Sequence, residues 1–412
     1  MGSTSPIPAT STSLPDASSP SLILTRPTAE ERRRTWSLTH TTWGGALSHD
    51  DYLTREAYLT TVPLAKNGGL THWILTDSSL AENERPILSS CETLRKHAIS
   101  TSPSSEGNGA VVVLVEDGIA HGIASVFTDP RFRGRGYASR MMRELGGRLR
   151  RWQVTGLSDT DTDNEEEGGK SSLFSVLYSD IGKQFYARSG WAPFESSHAA
   201  FRPVPGASSG QSGGGDVARP IGYHELAELC SVDEKLLREA LVRRASATGK
   251  RCVALLPDLD AILWHLMRED FVTKHIFGRI PTIKGAVYGE PGRRIWAVWT
   301  RGYYGGLKTM EGNTLYILRV VVEGEEEKDD DEDLAKGFRS ILHIAQAEAA
   351  EWRSQDVHMW NPNPRLKKII ERTGVDCEFV DRDKESIASL MWYGQGPTAE
   401  LDWVANEKFC WC

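Results

Sequence analysis

Residues 129–153 read DPRFRGRGYASRMMRELGGRLRRWQ, and the fold is decided by how this stretch is understood. From Ala138 onward, Met141, Leu145, Leu149 and Trp152 recur at spacings of four, four and three, which predicts a helix with one buried face. Gly134 and Gly136 stand where the chain leaves the apolar strand 119–128 (IAHGIASVFT) and opens that helix. A helix start of this kind exposes N–H groups and the positive end of the helix, and glycine lets a ligand approach the backbone. Arg131, Arg133 and Arg135 add positive charge, so the turn is expected to hold a di- or triphosphate-like anion. Neither G-x-G-x-x-G nor G-K-[ST] is present, which argues against a Rossmann fingerprint and a Walker A loop.

Working outward, 21–28 (SLILTRPT) reads as a strand leading into the helical run AEERRRTWSLTHTTW. A second helix is expected from Asp50 as N-cap to Tyr58, then strands at 70–76, 87–94 and 111–116. A polar loop is placed at 100–109 and a turn at Asp117-Gly118. After the long helix come the strand LFSVLYS, the short helix GKQFYARSG and a final strand pair through WAPFESSHAAFRP. The fold class is therefore α/β (α+β), a mixed sheet with crossover helices.

The chain has 412 residues, 39% hydrophobic and 25% charged, enough for two domains. Residues 1–20 are Ser, Thr, Pro and Ala with few large apolar side chains and are expected to be a disordered tail. GASSGQSGGG lies in a flexible linker, 206–216, between lobes 21–205 and 217–412. The formal charge of -8 is misleading, because 323–333 (EGEEEKDDDED) carries that much alone and 159–167 (DTDTDNEEE) carries six more acids. Both runs read as solvated loops, and the remaining body is mildly basic, which suits an anionic ligand. No run approaches a membrane span and no secretory or lipidation signal opens the chain, so a soluble, cytoplasmic protein is expected, with no membrane partner. Six cysteines without C-x-x-C spacing fit a reducing compartment and no metal site. Cys410 and Cys412, flanking Trp411, read as packed thiols. The basic residues form one loop and no aromatic-rich basic surface, which disfavours nucleic acid.

Arg133-Gly134-Arg135-Gly136-Tyr137-Ala138, preceded by Val126-Phe127-Thr128-Asp129-Pro130, resembles motif A (R/Q-x-x-G-x-G/A) of the GCN5-related N-acetyltransferases, the GNAT superfamily. Downstream, Ser179 to Trp191 resembles that superfamily's N-x-x-A-x-x-(apolar)-Y-x-x-x-G-(aromatic), with Tyr186, Gly190 and Trp191 in register. Ser179 stands in place of Asn and Gly182 in place of Ala, which puts the pantetheine amide contact in doubt. SSCETLRKHA, HGIASVFTDP, VLYSDIGKQFYARSGW, NTLYILRV and NEKFCWC are similar to the fungal lysine N6-acetyltransferase family across both lobes.

The resemblance implies acetyl-CoA as co-substrate and acetylation of the ε-amine of free L-lysine, in lysine degradation. Another small amine, or a non-catalytic CoA-binding role, is the alternative. It implies that Val126, Phe127 and Thr128 lie beside the thioester, that Arg131 and Arg133 to Ala138 hold the pyrophosphate, and that Ser179 and Gly182 lie on the pantetheine arm. Tyr186 would protonate the departing sulfur. The base is open between His121 and the carboxylate of Cys412. For the acceptor, Trp43 is a wall, and the turn WTRGYYGG offers Arg301 as carboxylate clamp beside Tyr303 and Tyr304.

The second lobe echoes the same template. It has strands at 294–299 and 314–322, a helix 334–352 with Ile341, Ile344, Ala345 and Trp352 on its apolar face, the strand VHMW, and Asn363 to Val375 repeating the N-to-G spacing. Its acidic run replaces the phosphate loop and would repel a pyrophosphate, so a degenerate copy with one active lobe is expected.

Overall fold

Near-continuous apolar runs such as IWAVW in 295–299 and ILRVVV in 317–322, buried on both faces, make sheets the frame of this molecule, and helices cover them. The computed structural model describes residues 14–105, 111–154, 172–206, 217–324 and 331–411. In chain order the first half holds β1 (Leu22–Thr25), α1 (Ala29–Trp43), α2 (His49–Leu59), β2 (Leu70–Asp77), β3 (Ser89–Ser105), β4 (Val111–Phe127), α3 (Tyr137–Leu149), β5 (Phe174–Ser179), α4 (Gln184–Ala187), β6 (Ala192–Pro193) and β7 (Ser197–Phe201). The second half holds β8 (Arg219–Ile221), α5 (Tyr223–Thr248), β9 (Cys252–Leu255), α6 (Leu259–Phe277), β10 (Gly285–Tyr288), β11 (Ile295–Tyr303) and β12 (Asn313–Val322). It continues with α7 (Asp331–Glu351), β13 (Asp356–Trp360), α8 (Pro364–Thr373), β14 (Glu378–Asp381), β15 (Ile387–Trp392) and β16 (Asp402–Trp403).

One sheet runs β1-β2-β3-β4-β5-β15-β6 and the other β8-β10-β11-β12-β13-β7-β14. Position by position the two orders are the same, with a parallel pair at β4–β5 and β12–β13 and antiparallel pairs elsewhere along each path. The second lobe is thus the same architecture built twice. The strand beside each parallel pair has changed places: β15, from the second half, pairs with β5, and β7, from the first half, pairs with β13. The expected final strand pair of the first lobe therefore divides, β6 staying while β7 crosses. Pairing at this distance in sequence leaves no local trace.

α3 buries Met141, Met142, Leu145 and Leu149 against Trp73, Ile123 and Leu177 on the outer face of the first sheet, each side chain contributing about 2 kcal/mol. α7 and α8 do the same for the second sheet through Phe338, Ile341, Leu342 and Ile369. Between the sheets a central core joins Phe174 and Val176 of β5, Ala388 and Leu390 of β15, Leu229 of α5, Leu266 of α6, Val298 of β11 and Phe409.

Several expectations change. The loop at 100–109 and the turn at Asp117-Gly118 give way to a long β3–β4 hairpin whose two strands span 17 residues each. Gly118 is there for close approach, since a Cβ would sit 2.8 Å from Leu173 Cγ. The N-cap of α2 is Ser48, whose hydroxyl accepts from Asp51 N, and not Asp50. Residues 14–20, expected to be disordered, pack on α3: Tyr137 donates to Pro15 O at 2.6 Å and Arg140 to Ala17 O at 3.0 Å. α5 and α6 escape the sequence pattern because buried Asp233 interrupts the apolar face of α5, and α6 is apolar on several sides where it lies between the lobes. The remaining tail 1–13, most of the linker, the 159–167 run, residues 325–330 and Cys412 lie outside the described residues.

Because each sheet borrows a strand, the two halves are expected to unfold together. Scanning calorimetry should give one transition, and Leu390→Ala in β15 should lower its midpoint without splitting it; two separable transitions would contradict the exchange.

Candidate active site

A β-bulge opens the first sheet. Ser90 pairs with Phe127 and Glu92 with Ala124, so Ser125 and Val126 together oppose Cys91. Ser125 takes φ 53°, a left-handed conformation for a non-glycine residue. The β4–β5 ladder stops at Ile123–Leu177, leaving the β5-side backbone of 124–127 out of the sheet. The second sheet has the same device: Leu318 is the extra residue on β12, and the β12–β13 ladder stops at Ile317–Met359.

Past the first bulge, Gly134 and Gly136 take φ 76° and 83°, and no atom lies within 4 Å of where a Gly134 Cβ would be. Gly136 caps α3 without any side-chain hydrogen bond, so no capping side chain takes up the first-turn N–H groups. Ala138 stands in that first turn. These residues fit a pyrophosphate. Arg131 chelates the buried Asp129 at 3.0 and 3.1 Å, and its hydrogen bond holds that carboxyl below the usual range despite burial. Arg131, not Arg133, occupies the first position of R-x-x-G-x-G. Arg133 donates to Thr128 O at 3.1 Å, and Arg135 is exposed. Thr128 shares a 2.7 Å hydrogen bond with Ser89, Val126 packs toward α3, and Tyr137 is buried.

At the end of β5 the Ser179 hydroxyl is taken up locally, donating to Gly182 O at 2.7 Å and accepting from Ile181 N at 3.2 Å. It shapes the turn, and Gly182 follows at φ 78°. Tyr186 is buried beside Phe185, and burial with the neighbouring Cys91 and Asp180 raises its phenol well above the usual value.

Trp43, Arg301 and Tyr303 do come together, in one narrow pocket lined also by Arg55, Arg268 and Tyr304. Trp43 stands edge-on to Phe127 at 6.0 Å, which joins this pocket to the bulge. Arg301 is not available as a clamp. It is fully enclosed and bonds Glu269 at 2.5 Å and Glu348, within a network that also pairs Lys284 with Glu269 at 3.0 Å. Tyr303 donates to Trp352 O at 3.0 Å. Arg55 is committed to Glu56 at 2.9 Å. Among the described residues, Arg268 forms no hydrogen bond or ion pair; its guanidinium faces the Trp411 ring at 5.7 Å and its charge acts on Glu56.

His121 lies on the other face of the sheet, fully buried near Gln153 (3.4 Å) and Ser172 (3.3 Å). Burial pushes it down to about 4, so it is a neutral core residue. The carboxylates the sequence reading missed are Glu92 and Glu56. Glu92 accepts from the bulge residue Ser125 at 2.9 Å and lies 3.1 Å from His72. Burial raises its pKa, but His72 and Ser125 outweigh that and keep it low. Glu56 nearby is raised by burial, the charge of Glu92 adding to it. The available signal was Glu92 and Lys96 alternating with Leu94 and Ala98 on one strand face.

In the second lobe the corresponding opening is filled by the chain itself. Val320 N, past the bulge, donates to Glu407 at 3.2 Å, and Arg319 bonds both Glu407 and Asp233. Glu323, the first acid of the acidic run, is buried and bonds Arg294 at 2.7 Å. Among the described residues, no group of three His, Cys, Asp or Glu stands in metal-binding geometry, and no helix is long and apolar enough to cross a membrane.

A bulged strand split from its parallel neighbour and ending on a glycine-opened helix defines an acyl-CoA-binding fold of the GNAT type. Residues 198–412 match the family model described as LYC1 GNAT-like C-terminal domain. The chain belongs to that family, within the GNAT superfamily of acyltransferases. It is 27% identical over 427 residues to a protein of Yarrowia lipolytica named lysine acetyltransferase, covering 93% of this chain and 98% of that one. It is 22% identical over 404 residues to Uncharacterized protein YGR111W of Saccharomyces cerevisiae, covering 90% and 92%. Among solved structures, Saccharomyces cerevisiae N-myristoyltransferase with bound myristoyl-CoA aligns over 92% of this chain and 80% of its own, at TM-score 0.49 and 9% identity.

Two outcomes follow. Arg301→Met should cost about 3–5 kcal/mol of stability, read from the denaturation midpoint, because it strands buried carboxylates. His121 is neutral in the fold down to about 4 but takes up a proton near 6.5 when unfolded. The unfolded state therefore binds more protons in that window, and stability falls as pH drops through it. In His121→Gln that slope should flatten in denaturation curves while the activity profile keeps its shape.

Proposed function

We propose that this chain transfers acetyl from acetyl-CoA to the ε-amine of free L-lysine. The observation that supports the reading is the meeting of two spaces at the β4 bulge. Phe127 of the bulged strand stands edge-on to Trp43, which lines the pocket carrying Arg268, while Ser125 ties Glu92 to the same bulge. The Yarrowia lipolytica relative's name supports lysine as the acceptor.

Acetyl transfer forms a C–N bond and breaks the C–S bond, so the residues must hold both partners and move two protons. Gly134, Gly136 and the first turn of α3 would receive the pyrophosphate, and the backbone at 126–128 would flank the thioester. Arg268 would receive the acceptor's carboxylate. The Glu56–Glu92 pair would attract the ammonium and take its proton, Glu92 staying ionised and Glu56 better able to hold a proton. Tyr186, kept protonated by burial, would donate to the sulfur as it leaves.

Incubation with acetyl-CoA and a panel of amino acids, diamines and aminoglycosides, read by mass spectrometry, should acetylate lysine at Nε in preference to the others. Glu92→Gln should lower kcat by about 100-fold and Tyr186→Phe by at least about tenfold, with acetyl-CoA binding retained. Preference for an amine without a carboxylate, or unchanged kcat in both variants, would contradict the reading.

A further inference from the structure

The second lobe keeps the bulge and the split parallel pair but fills the gap with residues 402–411. These residues do not stop there. β16 pairs with β9, which pairs with β3 of the first sheet, and the 3₁₀ turn Lys408–Cys410 then crosses toward the acceptor pocket. Its carbonyls meet Lys96, which is buried on the β3 face shared with Glu92. Lys96 Nζ donates to the carbonyl oxygens of Phe409 at 3.4 Å, Cys410 at 2.9 Å and Trp411 at 3.3 Å. His265 of α6 lies 3.2 Å from Phe409 O. A buried lysine that donates to three successive carbonyls fixes the path of that backbone rather than balancing an acid.

What this anchoring delivers is the Trp411 ring. It lies 5.7 Å from the Arg268 guanidinium and 4.0 Å from Lys408 Nζ, with the His265 ring 6.2 Å away. Arg268 makes no hydrogen bond to a carboxylate among the described residues and meets Glu56 only through its charge, and the indole face is the surface its guanidinium lies over.

We propose that the segment 408–411, anchored by Lys96, is a built-in positioning element that aims Arg268 at the carboxylate of the acceptor and so makes the enzyme select amino acids over simple diamines. The inference rests on the functional reading above and adds to it the source of carboxylate selectivity. Neither Lys96 nor Trp411 touches the reacting atoms in this scheme. Their loss acts on acceptor recognition through Arg268, leaving the thioester site intact.

The test is the ratio of kcat/KM for lysine to that for 1,5-diaminopentane, which lacks the carboxylate, measured beside the KM for acetyl-CoA. Trp411→Ala and Lys96→Met should each lower the ratio about tenfold or more, mainly through the KM of lysine, with acetyl-CoA KM unchanged. Trp411→Phe, which keeps a ring, should recover most of it. Trp411 is only partly buried, so Trp411→Ala decides alone where Lys96→Met fails to fold. A ratio unchanged in Trp411→Ala overturns the inference while leaving the acetyltransferase reading standing. Wild-type protein that acetylates neither amine overturns that reading and the inference with it.

Discussion

The pairing of β15 with β5 is the constraint on which the rest depends. Six consecutive residue pairs, from Ile387–Ser179 to Trp392–Phe174, stitch a strand from the second half against the parallel pair of the first. With β7 returning the exchange on β13, neither sheet is complete without the other. The two inner faces are thereby turned toward each other across a shared core, and the first lobe's site acquires walls from the second. Arg268 on α6 and Tyr304 after β11 reach the pocket beside Trp43 for this reason.

The two lobes share one strand order but differ at the opening beside the parallel pair. Both have a bulge at the end of the parallel ladder. In the first lobe the bulge leads to glycines and an uncapped helix. In the second, Glu323 is locked onto Arg294 and Glu407 onto Arg319 and Val320, so acids lie where a pyrophosphate would need donors. In the second lobe the buried Arg301–Glu269–Lys284 network holds α6 to β11 and to the start of β10.

How much of this the sequence disclosed follows from how local each signal is. The glycine turn and the face of α3 were readable because both lie within one stretch of about twenty-five residues and obey one period. Trp43, Arg301 and Tyr303 were rightly drawn to one place, yet Arg301 proved to be internal, since the acids that neutralise it come from α6 and α7. His121 attracted notice as a lone titratable group on a strand, but strand parity puts it on the α3 side, opposite Glu92. Glu92 itself passed unremarked in a strand of mixed polar and charged residues, SSCETLRKHAIS, where no apolar period sets it apart. The exchange of β7 and β15 was invisible because nothing in either segment records its partner.

Titration calorimetry of the intact protein with acetyl-CoA tests the central claim most directly. The account predicts one site per chain, lost when Gly136 is replaced by Val, because φ 83° and Ala17 at 3.2 Å from the new Cβ leave that side chain no room. Two equivalents bound per chain, or undiminished binding by the valine variant, would contradict it.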